Sequence, residues 1–188
     1  MDQATDAAIG AEPAAQPDIV DGEIPGIIAP GPVIAFGALL LGLAFDRLGL
    51  PRVINEVPTW IRDVVALVLA SWGLWYNLRA NLVFRRTNTP FLPWQPTRVI
   101  AAKDIYARTR NPMYQGFLLI VLGIAVVFRI DGAVLMLIPA ALLLHYGVVL
   151  REERCLARRF GDSYRHYMSA VPRYGWAFPG FVKGRSKP

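Results

Sequence analysis

Four stretches of this chain carry no Asp, Glu, Lys or Arg, and their lengths constrain the fold more than any other feature. Residues 24–45 run 22 positions without such a charge, 64–78 run 15, 111–128 run 18 and 132–150 run 19. A helix crossing the hydrocarbon core of a bilayer takes roughly 17–25 apolar residues. Three runs are long enough as they stand, and the second becomes so from Ile61. Lipid offers the backbone no water, so each run must satisfy its own hydrogen bonds as a helix. The chain is also only 18% charged, below the roughly one quarter of a soluble domain. The expected fold is an all-α, polytopic membrane helix bundle of about four transmembrane helices, the last continuing into a cytoplasmic helix.

The charges outside these runs set orientation. Residues 1–26 hold six acids (Asp2, Asp6, Glu12, Asp18, Asp21, Glu23) and no Lys or Arg. That is the reverse of a signal peptide's basic n-region, so the segment reads as a disordered acidic leader. Segment 79–110 holds seven basic residues against one acid, and the chain from Arg151 onward nine against three. By the positive-inside rule both face the cytoplasm. A high pI can also mark nucleic-acid binding. Here the arginines border the apolar runs, where topology and lipid headgroups account for them, and no nucleic-acid partner is expected. Cys155 is the one cysteine, which excludes an intramolecular disulfide and a Cys-cluster metal site. With two histidines, His145 and His166, and no HExxH, no metal is expected.

Along the chain, a first span over about Ile27–Phe45 is rich in Gly and Ala, which let helix backbones approach closely in lipid. A second, about Ile61–Leu78, ends in Trp72, Trp75 and Tyr76, which suit an interfacial aromatic belt. Three prolines between 90 and 96 make the following basic stretch an irregular loop along the membrane surface. The third span opens at Pro112, with Asn111 as its cap. Phe128–Gly132 leaves room only for a tight hairpin before the fourth span, Gly132–Leu150. Helical periodicity then continues to Gly161, a candidate C-cap.

Three groups of residues carry chemistry. In RTRNPMYQG (108–116), Tyr106, Arg110 and Tyr114 fall four apart, at a helix start whose free N–H groups suit a carboxylate; topogenic arginines and a belt tyrosine are the plain alternative. In HYGVVLREER, His145 is ionisable inside an apolar run, a functional candidate by default, and precedes Glu152 by two helical turns. Glu152 and Glu153 either hold hydroxyls or an amine, or pair with Arg154, Arg158 or Arg159. In FGDSYRHYMSAVPR, Tyr164 and Tyr167 share a face ahead of Arg173. They suit adenine stacking or a sulfonium contact, or belong to an amphipathic surface helix.

Taken together, the order RNPMYxG, apolar hairpin, REExxLxxxFGxxYxxYxxxVPR resembles the integral-membrane methyltransferases of the isoprenylcysteine carboxyl methyltransferase and phospholipid N-methyltransferase group. The resemblance covers about Phe84–Arg173. It implies S-adenosylmethionine as cofactor, bound on the cytoplasmic side, with Tyr106, Arg110, Asn111, Pro112, Tyr114, Glu152, Glu153, Tyr164 and Tyr167 as the binding set. Arg173, His145 and Glu152 are the candidate catalytic residues. Asn111 stands where many relatives carry His, and Lys103-Asp104 where a glycine commonly begins the motif. The implied organisation is a leader (1–26), two transmembrane helices (27–80), a methyltransferase-like core (81–175) and a basic tail (176–188).

Methyl transfer from a sulfonium is an in-line displacement that needs alignment and little covalent help. A carboxylate or thiolate acceptor needs no base, whereas an amine must lose a proton, which His145 or a glutamate could take. A lipidic or otherwise hydrophobic acceptor would reach such a site sideways from the bilayer. No GxGxxG follows a strand, so a Rossmann-type methyltransferase is not supported. Two other readings stand beside this one: an NADPH-dependent membrane reductase of the sterol reductase type, which shares an Arg-x-Pro-x-Tyr motif, and a non-enzymatic membrane scaffold.

Overall fold

The computed structural model describes residues 26–49, 54–86 and 102–175, and every regular element among them is helical. Five helices follow one another: α1 (Gly31–Asp46), α2 (Thr59–Arg86), α3 (Pro112–Val127), α4 (Asp131–Leu144) and α5 (Leu150–Ala170). Short 3-10 turns lie at Ile54–Glu56 and Asp104–Ala107, and a π turn, His145–Val149, joins α4 to α5. The acidic leader as far as residue 25, the loop at 87–101 and the basic tail from 176 lie outside the described residues.

Packing is pairwise, α2 along α3 and α1 along α4. Small residues explain both contacts. A Cβ on Gly73 would meet the Gly116 carbonyl at 2.6 Å, and one on Gly123 the Ala66 carbonyl at 2.9 Å. Gly42 lies directly on the backbone of Ala133 and Gly132. Such close approach is how helices associate where the surrounding medium is itself apolar, as the Gly- and Ala-rich first run suggested. The expected hairpin is present: α3 ends at Val127, Arg129 takes a positive φ of 57°, and α4 begins at Asp131. Outward-facing side chains are large and apolar, among them Leu40, Leu67, Val68, Ile138 and Leu142.

Span lengths depart from expectation. One helical run, the 40 residues Asp131–Ala170, is long and apolar enough to cross a membrane by length and composition. α1 and α3 are apolar but only 16 residues each. The four-span arrangement is therefore not established by helix length alone.

Two local expectations are corrected. α2 does not stop near Leu78 but runs on through Arg79 to Arg86, because helix-compatible residues continue until the Thr- and Pro-rich stretch. Tyr76 is not a belt residue: it is 1% exposed, and its hydroxyl donates to the Gly175 carbonyl at 3.2 Å. Gly161 ends the first helical stretch of α5, as its candidate C-cap position suggested, and a second stretch follows it. It takes φ 53° and ψ −129° inside α5 and kinks it, after which helix resumes to Ala170. A Cβ there would meet nothing within 4 Å, so glycine is demanded by backbone conformation and not by crowding.

Candidate active site

The start of α3, the start of α5 and the segment 171–175 converge at one end of the bundle. The path into α3 is not helical. Tyr106 sits in the 3-10 turn, and Arg110 in an irregular link before Pro112. The four-residue spacing of Tyr106, Arg110 and Tyr114 therefore does not describe a helix face, because proline opens a new helix between the last two. The three side chains nonetheless reach the same region. Tyr114 donates its hydroxyl to Glu152 Oε1 at 2.6 Å. Arg110 Nη2 lies 3.2 Å from Glu153 Oε1. The Tyr167 hydroxyl donates to the Tyr106 backbone carbonyl at 2.7 Å, and the Tyr106 phenol is close enough to Glu152 to feel its charge.

Glu153 is the centre. It is 5% exposed, and its Oε2 accepts Arg173 Nε at 3.0 Å and Nη2 at 2.7 Å, a two-pronged ion pair. Oε1 is close enough to Arg110 for charge attraction but is not aligned with it as a hydrogen bond, so among the described residues it has no hydrogen-bond donor, and Arg110 Nε has no acceptor. One buried acceptor and one buried donor of the same ion-paired residues are thus left without a hydrogen bond, which is costly unless a further group supplies it. The alternative partners weighed for the glutamates do not take Glu153. Arg110 and Arg173 take it, and the Arg154 Nε donates to the Leu150 carbonyl instead.

Glu152 lies beyond the apolar run and is only partly exposed. Burial pushes its carboxyl up to about 7, the Tyr114 hydroxyl opposes that, and neighbouring Glu153 adds to it. Three phenols of the site, those of Tyr106, Tyr164 and Tyr167, are raised above the usual tyrosine range, in each case first by burial. They remain neutral donors at physiological pH. Tyr164 and Tyr167 are 4% and 9% exposed with ring centroids 5.7 Å apart. They are inward-facing rings packed with Phe160 and Val171, which removes the surface-belt reading.

Asn111 precedes α3 but makes no side-chain capping bond. Its Nδ2 donates instead to the Arg173 carbonyl at 3.3 Å: its amide is drawn to the neighbouring segment, and Pro112, fully buried, needs no donor satisfied at the first helical position. A π turn, wider than an α turn, begins at His145. The His145 Nδ1 lies 2.8 Å from the Tyr174 hydroxyl.

Several residues that organise the site were not singled out from the sequence. Segment 171–175 is held down through its carbonyls. Pro172 accepts the Arg110 N–H at 3.1 Å, Arg173 accepts Asn111, and Gly175 accepts the Gln115 Nε2 at 3.2 Å as well as Tyr76. The buried Thr109 hydroxyl lies 2.6 Å from Gln115 Oε1 and 3.2 Å from the Arg173 carbonyl. Gly175 sits directly on the Arg108 carbonyl, where a side chain would not fit. Gln115, inside the RTRNPMYQG stretch, was the readable signal. Thr109 lies in the same stretch, whereas Tyr76 reads in the sequence only as a belt residue.

With this geometry in view, a comparison with known families is informative. The model of the phospholipid methyltransferase family matches residues 61–163. The chain belongs to that family, whose members are membrane methyltransferases. No curated protein and no solved structure matches it. The matched stretch includes α2 from Ile61 onward, the Arg110–Tyr114 helix start, the α3–α4 hairpin and the two glutamates. It ends before Tyr164, Tyr167 and Arg173.

Proposed function

We propose that this protein is an S-adenosylmethionine-dependent, multi-pass membrane methyltransferase that transfers a methyl group to a lipidic or hydrophobic acceptor from the cytoplasmic side. The observation that carries the reading is the pair of unsatisfied buried atoms, Glu153 Oε1 and Arg110 Nε, beside the Tyr114–Glu152 bond. An amino-acid nucleoside offers what they lack. Glu152 and Glu153 would hold its ammonium and ribose hydroxyls, Arg110 would hold its carboxylate, and Tyr164 and Tyr167 would offer aromatic surface to its adenine. The cofactor supplies an electrophilic methyl on sulfur.

The protein's own residues do the rest. Arg173 fixes the Glu153 rotamer and balances its charge. Tyr114 orients Glu152. Tyr106 and Tyr167 hold the C-terminal segment over the site and exclude water, which raises the reactivity of a charged nucleophile. His145, hydrogen-bonded to Tyr174 at the mouth, is placed to take a proton from an amine or thiol acceptor. The apolar outer face of the bundle and the arginines flanking the apolar runs support a four-span topology with both basic segments on the cytoplasmic side.

The test is transfer of label. The protein in lipid nanodiscs is incubated with methyl-labelled S-adenosylmethionine, and the organic-extractable fraction is counted. Labelled lipid that disappears with Glu153→Gln supports the reading. Label confined to the aqueous phase, with lipid of every headgroup class present, contradicts a lipidic acceptor.

A further inference from the structure

Among the arginines of α5, one is placed unlike the rest. Arg151, Arg154, Arg158 and Arg165 are exposed, whereas Arg159 is 9% exposed and its Nε is buried with no hydrogen-bond partner. Arginine is almost never buried unless something pairs with it. Among the described residues no carboxylate does so. The acids of α5 are engaged elsewhere, Glu152 with Tyr114, Glu153 with Arg110 and Arg173, and Asp162 with Arg165. The Phe160 ring centroid lies 5.9 Å from the Arg159 guanidinium carbon. A ring face attracts a cation without neutralising it, and contributes less than removing a guanidinium from water costs. The charge calls for an anion.

Its place along the helix says which one. The run Asp131–Ala170 is long and apolar enough to cross a membrane, and its uncharged part ends at Leu150. Arg159 stands nine residues further on, at most roughly 14 Å beyond that end at 1.5 Å per residue. Long helical side chains lean back toward the N-terminus, which here is toward the bilayer. The headgroup layer is about 5–8 Å deep on each side of the hydrocarbon core, so the lean carries the guanidinium toward the lipid phosphates. Its planar fork matches phosphate oxygens in pairs.

We propose that Arg159 anchors a phosphate-binding site on α5, outside the cluster of Arg110, Glu153 and Arg173. A phospholipid headgroup and a free phosphate share this chemistry. Arg159 follows Glu152 by seven residues, on the same helix face and roughly 10 Å along the axis. A lipid held by its phosphate is thereby kept beside the candidate active site. The phosphate site itself does not depend on the methyl-transfer reading.

Melting of the full chain in dodecyl maltoside, followed by tryptophan fluorescence, tests the site with three probes. They are dioctanoyl phosphatidylglycerol, inorganic phosphate and the phosphate-free dioctanoylglycerol. Binding to the folded state raises the melting midpoint by mass action. In the unmodified protein a rise of about 3 °C or more is expected with at least one phosphate probe and none with dioctanoylglycerol. A rise with phosphatidylglycerol alone assigns the site to headgroups, and a rise with inorganic phosphate also assigns it to phosphate in either form. Arg159→Gln should abolish the rise. Hydrogen exchange of the unmodified protein, which needs no variant to fold, should slow around residues 156–163 when the same probe is added. No rise with either phosphate probe overturns the proposal, as does an equal rise with dioctanoylglycerol or in Arg159→Gln. So does slowing centred on Arg110 and residues 171–175, which would place the phosphate in the other cluster.

Discussion

Tyr114 and Glu152 meet at 2.6 Å, hydroxyl to carboxylate, and this single bond joins the start of α3 to the start of α5 across 38 residues of chain. It sets the electrostatics of the site, because the donated hydrogen bond favours the ionised form of a carboxyl that burial pushes toward the neutral one. Tyr114→Phe removes the bond and leaves the ring. The Glu152 carboxyl should then titrate above about 7, and a pH profile of cofactor-product binding should move its midpoint upward. A profile unchanged by the substitution would mean that the bond has no bearing on ligand binding.

Glu152 makes stability depend on pH in a defined direction. Its value in the fold, about 7, lies above the ordinary 4.5, so folding favours the protonated form. That contribution is fully present below about 4.5 and is lost as pH rises through about 7. Glu152→Gln lacks it. Between about pH 5 and pH 8 the melting midpoint of the variant should therefore rise relative to the unsubstituted protein, as followed by tryptophan fluorescence in detergent. A constant difference would contradict the assignment of burial as the dominant cause.

Arg173→Ala strips Glu153 of its two-pronged partner and leaves Arg110 as its nearest cation. Removing one member of a buried pair costs about 3–5 kcal/mol; the guanidinium side chain is one-third exposed, which favours the lower figure. Hydrogen exchange should quicken at the backbone of residues 171–175. Arg173→Lys keeps the charge but not the fork, and should recover only part of the loss. Full recovery by lysine would reduce the contact to simple charge balance.

Much of this arrangement was legible in the sequence. Uncharged runs gave the helices, Asn111-Pro112 gave the start of α3, and the residue order RNPMY…REE…VPR gave the family and the residues that meet. The departures have physical reasons. A helix face could not be drawn through Pro112, so Tyr106, Arg110 and Tyr114 converge by a different path from the one their spacing implied. The π turn at His145 is a local geometry that no residue pattern announces, and the ring meets Tyr174. Tyr76 looked like a belt residue because aromatic rings near a span end usually are. Its burial depends on segment 171–175 returning from about a hundred positions away, a long-range pairing that periodicity does not encode.

Gly161 is where that return begins. With φ at 53° and ψ at −129°, a side chain there is strained by about 1–3 kcal/mol, although space around it is open. Gly161→Ala should straighten α5 and draw Tyr164, Tyr167 and Arg173 away from Glu153. The expected readout is a weaker binding of S-adenosylhomocysteine accompanied by faster exchange at Tyr167, and unchanged binding would show that the kink is incidental.

The most direct measurement of the central claim is a calorimetric titration of the purified protein with S-adenosylhomocysteine, run beside one with NADPH. The account predicts binding of the former at a one-to-one ratio, weakened about tenfold or more by Arg110→Ala and by Glu153→Gln, since each leaves a buried ligand group unpaired. It predicts no heat from NADPH. Binding of NADPH alone, or no binding of either by a protein that melts cooperatively, would contradict it.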